Sequence, residues 1–157
     1  MHISDQTMNV DCPTVQTRWM KWSDMQEVLA IENECFDQPW TESDFVRTLR
    51  QRDCVGIVAE NGNGIVAYAV YRLGKRHVEI LSIAVRRDSR RAGAGSRMIE
   101  WITKAAKRRP RRRLTLVIRE TNLPAQLFFR QIGFRAVAML HTYYADTPEG
   151  AYIMEQQ

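Results

Sequence analysis

Apolar positions along the chain switch repeatedly between alternating and helical spacing, and the switches divide it into short elements. The pattern over 15–20 fits a first strand, after which Ser23 and Gln26 read as a capping box for a helix with Met25, Val28, Leu29 and Glu32 at helical spacing. Residues 36–40 interrupt it, and Thr41 caps a second helix through about Arg50, with Phe45 and Leu49 four apart on one face. Two strands over 53–60 and 64–72 are joined by Asn61, Gly62 and Asn63, a turn that tolerates positive φ. The run 77–85 alternates and then becomes almost continuously apolar, as a central strand covered on both faces does. A helix over 95–107 presents Met98, Ile99, Ile102, Ala105 and Ala106 on one face, and 114–118 reads as the next strand. Asn122 caps a short helix with Pro124 in its first turn and Gly133 at its end, and 134–144 and 151–154 read as two more strands. The order is that of a mixed α/β sheet in which only the crossover from 77–85 to 114–118 runs parallel.

Length and charge narrow the class. A chain of 157 residues, 45% hydrophobic, has room for one domain; residues 1–13 are polar and aperiodic and are expected to be a flexible leader to a single domain over 14–157. No apolar run approaches a membrane span, and the N-terminus lacks the basic-then-apolar order of a signal peptide, so a cytoplasmic protein is expected. Cys12, Cys35 and Cys54 suggest neither a disulfide framework nor zinc, and His2, His77 and His141 are too dispersed for a metal motif. The net charge of +5 concentrates between Lys107 and Arg113, where six basic residues flank one proline. Such a block suits RNA or a ribosomal surface, or simply a solvated helix end whose cations complement the dipole; no aromatics interleave it.

The chemistry-bearing segment joins the apolar strand to the following helix and reads Arg90, Arg91, Ala92, Gly93, Ala94, Gly95, Ser96. Glycines permit a tight turn and close approach to an anion, the first N–H groups of the helix point outward, and the arginines add charge for phosphate oxygens. No lysine followed by Ser or Thr completes a P-loop, and Met98 stands where a dinucleotide fingerprint needs its third glycine.

With its surroundings, this segment resembles motif A of the GNAT family of N-acetyltransferases. Asn122 opening a helix that ends at Gly133 and Phe134 is similar to that family's next motif, and the stretch 36–42 with the pair Tyr143 and Tyr144 resembles its RimI-type ribosomal-protein alanine N-acetyltransferases. The resemblance covers roughly 14–155. It implies a splayed, mostly antiparallel sheet of about seven strands flanked by about four helices, with acetyl-CoA wedged between the strand ending at Val85 and that beginning at Leu114. The pyrophosphate would lie on Arg90, Arg91, Ala92, Gly93, Ala94, Gly95 and Ser96. Ile83, Ala84 and Val85 would hold the pantetheine arm like an added strand, and Asn122 and Phe129 would line it. The amine would enter from the other side, past Trp40, Glu42 and Tyr143. No metal is implied, and the molecule would be a monomer or homodimer.

Transfer requires a neutral amine, hence a base, and an acid for the departing thiolate. At the positions where the RimI-type enzymes carry them, this chain has Val117 and Phe129, neither of which exchanges a proton. Glu79 matches the position of the catalytic glutamate of the family's histone acetyltransferases and is the expected base; it also reads as a strand glutamate pairing with Arg76 or Arg119. Tyr143 and Tyr144 are candidate acids, Tyr144 the expected one, with aromatic packing or substrate contact as the other reading of both. The expected acceptor is a protein N-terminus, with a ribosomal protein as one candidate. A small amine or lysine side chain, binding of acetyl-CoA with little turnover, and an RNA-associated module using the basic block are the alternatives.

Overall fold

The computed structural model describes residues 14–108, 113–141, 143 and 148–156. Its elements are, in chain order, β1 (Gln16–Trp19), α1 (Met25–Cys35), α2 (Glu42–Leu49), β2 (Cys54–Asn61), β3 (Gly64–Leu73), β4 (His77–Val85), α3 (Ala94–Lys107), β5 (Arg113–Arg119), α4 (Leu123–Gln131), β6 (Arg135–Leu140) and β7 (Ala151–Gln156). The strands form one seven-stranded sheet in the order β1-β2-β3-β4-β5-β7-β6. Every neighbouring pair is antiparallel except β4 with β5, the pair joined by the α3 crossover.

Local chemistry accounts for most of the boundaries. The β2–β3 turn is held by Asn61, whose side-chain oxygen accepts from Asn63 N–H at 2.8 Å, and Gly64 takes a φ of 125° that a side chain would resist. Thr41 caps α2 by accepting from Asp44 N–H at 3.2 Å, and Asp44 accepts from Thr41 N–H at 2.8 Å. The expected Ser23–Gln26 box does not form. Asp24 accepts from Lys21 N–H at 2.7 Å and from two Arg18 guanidinium nitrogens at 2.8 and 2.9 Å, so a 3-10 turn over Trp22–Asp24 precedes α1. Charge-assisted bonds of this kind outweigh a serine cap. The strand expected over 134–144 ends at Leu140, and the last strand extends to Gln156.

The sheet is covered on both faces. Met98, Ile99, Ile102 and Ala106 of α3 bury against Val78, Ile80, Leu114 and Leu116, with Phe129 and Phe134 closing that core. On the other face Met25, Val28 and Ile31 of α1 and Phe45 of α2 pack on Val58, Tyr68, Val70 and Ala84. No helix among the described residues is long and apolar enough to cross a membrane.

The ladder between the two parallel strands is incomplete. Pairing of β4 with β5 runs from His77↔Arg113 to Ile80↔Leu116 and stops, although β4 continues to Val85 and β5 to Arg119. A bulge lies at the same point: Val70 pairs with Ser82 and Tyr71 with Ile80, leaving Leu81 as the extra residue. A bulge bends its strand and increases local twist, and here it coincides with the place where β4 and β5 separate.

Candidate active site at the fork between β4 and β5

Beyond the fork, β4 offers backbone groups to any ligand that lies alongside. Arg86 N–H donates to Val66 O at 2.8 Å, so by strand alternation Ala84 also turns its amide toward β3, whereas Ile83 and Val85 turn theirs to the opposite, open edge. Of the three residues expected to hold an extended arm, Ala84 therefore spends its backbone on the sheet. Val85 O accepts from Cys35 Sγ at 3.4 Å and Arg90 Nε at 3.3 Å, as a carbonyl free of the ladder would. Burial pushes the Cys35 thiol above its ordinary pKa, which disfavours the thiolate.

The glycine segment comes next in the chain. Arg91 and Gly93 have φ of 66° and 83°, left-handed values that turn the chain into α3. A Cβ on Gly93 would meet nothing within 4 Å, whereas one on Gly95 would stand 3.1 Å from Phe128 of α4. Gly93 thus faces open space, and Gly95 lets the first turn of α3 pass close to Phe128 in the second turn of α4. The N–H groups of Ala94, Gly95 and Ser96 lie in the first turn of α3, where no intrahelical acceptor exists. Arg91 is exposed. Arg90, expected to serve phosphate oxygens, instead folds back on Val85 O and on Cys35 Sγ at 3.5 Å. On the α4 side, Asn122 Oδ1 accepts from Ala125 N–H at 3.3 Å, and Phe129 is enclosed between Phe128 and Phe134 with ring centroids at 5.1 and 5.2 Å.

The opposite face of the fork carries the ionisable groups. Leu116 and Ile118 belong to the α3-side core, so Val117, one position past the last parallel pair, faces the α1 side, and it is apolar. Glu79 lies on that face before the fork, paired across to Thr115 and Arg72; its carboxylate meets Arg72 Nη1 at 3.4 Å, not Arg76 or Arg119. Arg72 also approaches Asp53 at 3.7 Å. Glu32, by contrast, is only 2% exposed. It accepts from Trp40 N–H at 2.8 Å and from the Tyr68 hydroxyl, which lies 2.9 Å from Ser82 Oγ. Desolvation is the main cause of a Glu32 pKa raised above the ordinary value.

Glu32 and Tyr68 were not singled out by sequence reasoning, although one signal existed: a carboxylate inside the apolar stripe of α1. Trp40 stacks edge-on against Phe45 at 5.1 Å, Glu42 is exposed in the first turn of α2, and Tyr143 is 51% exposed. Tyr144 and most of the basic block, 109–112, lie outside the described residues.

This arrangement matches a known family. The model of the acetyltransferase (GNAT) family covers residues 25–134, from the start of α1 to just before β6. The chain belongs to the GNAT family. An N-alpha-acetyltransferase of Sulfolobus acidocaldarius is 28% identical over 152 residues, 88% of this chain and 90% of the relative. The ribosomal protein bS18-alanine N-acetyltransferase of Escherichia coli is 26% identical over 137 residues, 86% and 92% of the two chains. Naa50 of Arabidopsis thaliana, solved with the bisubstrate analogue CoA-Ac-MVNAL, superposes with a TM-score of 0.79 at 16% identity, covering 91% of this chain and 98% of that one.

As a GNAT member the chain is an acetyl-CoA-dependent N-acetyltransferase, and its residues fit that co-substrate. The open space over Gly93, the unspent N–H groups of α3 and exposed Arg91 suit a pyrophosphate, and the edge of Ile83 and Val85 suits an amide-bearing arm. A concavity of about 650 Å³ bounded by Gln126, Arg130, Phe134 and Tyr152 shares no residue with this edge or with the glycine segment. Among the described residues no group of three or more His, Cys, Asp or Glu could hold a metal ion.

Proposed function

We propose that this GNAT enzyme transfers acetyl to the N-terminal amino group of a protein in the cytoplasm. The observation that carries the reading is the anchorage of the segment between α1 and α2: Trp40 N–H is bonded at 2.8 Å to Glu32, which reaches β4 at the fork through Tyr68 and Ser82. A wall held at that point borders the α1-side mouth, where a chain end can enter. Tyr143 is exposed enough to contact the residues that follow the amine. The Sulfolobus and Escherichia relatives, matched over nearly their whole length, carry names that specify protein N-termini, the latter an alanine of a ribosomal protein. Glu79, the carboxylate nearest in sequence to the fork on that face, is engaged by Arg72 at 3.4 Å.

Mass spectrometry after incubation with acetyl-CoA tests this. Peptides with free N-termini should gain one acetyl group at the α-amine, while blocked peptides with internal lysines remain unmodified; modification of lysines or small amines alone overturns it. One observation favours a second reading, binding with little turnover: Val117 at the fork is apolar, and Phe129 is buried in the α3-side core. Tight acetyl-CoA binding without transfer to any amine would establish that instead.

A further inference from the structure

Acetyl transfer at the fork needs an acceptor for the amine proton, and Val117, the residue of β5 just past the last parallel pair on the α1-side face, offers none. Across the fork, on the same face of β4, stands Ser82, half-buried beside the bulge residue Leu81. Its hydroxyl is not isolated. Ser82 Oγ lies 2.9 Å from the Tyr68 hydroxyl, and that hydroxyl donates to one oxygen of Glu32, whose other oxygen is held by Trp40 N–H at 2.8 Å. The chain thus runs from a partly open hydroxyl, through a fully buried one, to a fully buried carboxylate. Both bonded partners of Glu32 are neutral donors, which orient the carboxylate without neutralising it, and its enclosure favours proton uptake.

We propose that Ser82, Tyr68 and Glu32 form the proton-accepting relay of the transfer reaction, with Ser82 Oγ as the catalytic group that meets the amine and Glu32 as the residue that receives the proton. The amine nitrogen forms a bond to the acetyl carbonyl carbon and the carbon–sulfur bond breaks, the electron pair leaving with the thiolate. The amine proton passes to Ser82 Oγ as the serine proton moves to Tyr68 and the tyrosine proton to Glu32; the thiolate takes a proton from solvent, and after product leaves the proton on Glu32 returns through Tyr68 and Ser82 to water at the open end of the relay. Glu79 lies on the same face before the fork with its carboxylate engaged by Arg72 at 3.4 Å, and Tyr68 and Glu32 are positioning residues acting through Ser82. The inference rests on acetyl transfer at the fork, not on the identity of the amine.

The decisive experiment is steady-state kinetics of Ser82→Ala and Ser82→Thr, each with an N-terminal peptide and with a small primary amine. Ser82→Ala should lower kcat at least about tenfold with both KM values near wild type, and Ser82→Thr, which keeps the hydroxyl, should recover most of the loss. Wild-type kcat in Ser82→Ala, or equal losses in the two variants, would overturn the relay. If the wild type acetylates the small amine but no N-terminus, the acceptor reading fails while the variant ratio still decides the relay. An acceptor-free measurement stands beside it: infrared difference spectra of the resting enzyme at neutral pH, with Glu32→Gln as the assignment control, should show Glu32 ionised. A protonated Glu32 there leaves no place for the proton and sinks the proposal.

Discussion

The two halves of β4 do different work with the same kind of residue. Over 78–80 the strand is laddered on both edges, to β3 and to β5, and Val78 and Ile80 are sealed beneath α3. Over 82–85 it keeps β3 but loses β5, and the amides of Ile83 and Val85 fall on an open edge. Side chains stay mostly apolar throughout, so what separates scaffold from site is the pairing of the backbone. The strand gains an open backbone edge here by losing a neighbour.

Substitutions on either side of the fork should therefore separate stability from binding. The largest effect belongs to the closed half: Ile80→Ala, at the last parallel pair and 5% exposed, should cost about 2–5 kcal/mol of unfolding free energy while acetyl-CoA affinity per folded molecule is kept. Chemical denaturation with calorimetric titration checks both. A loss of affinity larger than the loss of stability would mean that the closed half is also part of the site.

Within the open half, Ala84→Pro removes an N–H spent on β3, and Val85→Pro removes one that is not. The first should be less stable than the second by about 2 kcal/mol or more, and only the second should weaken acetyl-CoA selectively. Gly93→Asp sets a carboxylate in the open space over the helix start; an affinity loss of about 30-fold, or ~2 kcal/mol, is expected with little change in melting temperature, since aspartate tolerates the left-handed φ of 83°.

Asp24 lies far from this contrast and serves as its control. The Arg18 guanidinium is the main cause that holds its carboxyl below the ordinary value of 3.8. A carboxylate with a depressed folded pKa contributes stability above its unfolded pKa and loses it as pH falls through the folded value. Wild type should therefore destabilise more steeply than Asp24→Asn below about pH 4, with the two curves running parallel at neutral pH and acetyl-CoA affinity equal in both. The smallest effect is expected from Thr41→Ala, which loses the α2 cap and about 1 kcal/mol.

Much of the scaffold was legible from spacing alone. The β2–β3 hairpin, β4, α3 and the Asn122 cap all announce themselves through local chemistry: turn residues that accept positive φ, an apolar run, an apolar helix face, a capping side chain. The start of α1 was misread because Arg18, six residues away in the chain, claims Asp24 and shifts the helix start, and a cap decided by such a partner is invisible to a local motif. The glycine segment was legible as a tight turn into α3 because glycine advertises backbone freedom, and Gly93 takes a φ of 83°. The relay was not, since it draws one residue each from α1, β3 and β4, and only the fold brings Glu32, Tyr68 and Ser82 together. The contacts of Arg90 were hidden for a related reason. The sequence shows its charge but not that Cys35 and Val85 O lie within its reach.

The open edge of β4 also bears on how such a protein diverges. Ile83 and Val85 offer main-chain amides, which every residue but proline supplies alike, so their side chains are free to drift as long as they still fill the core beneath. Selection acting on such a surface preserves a shape of the main chain and leaves little trace in the letters.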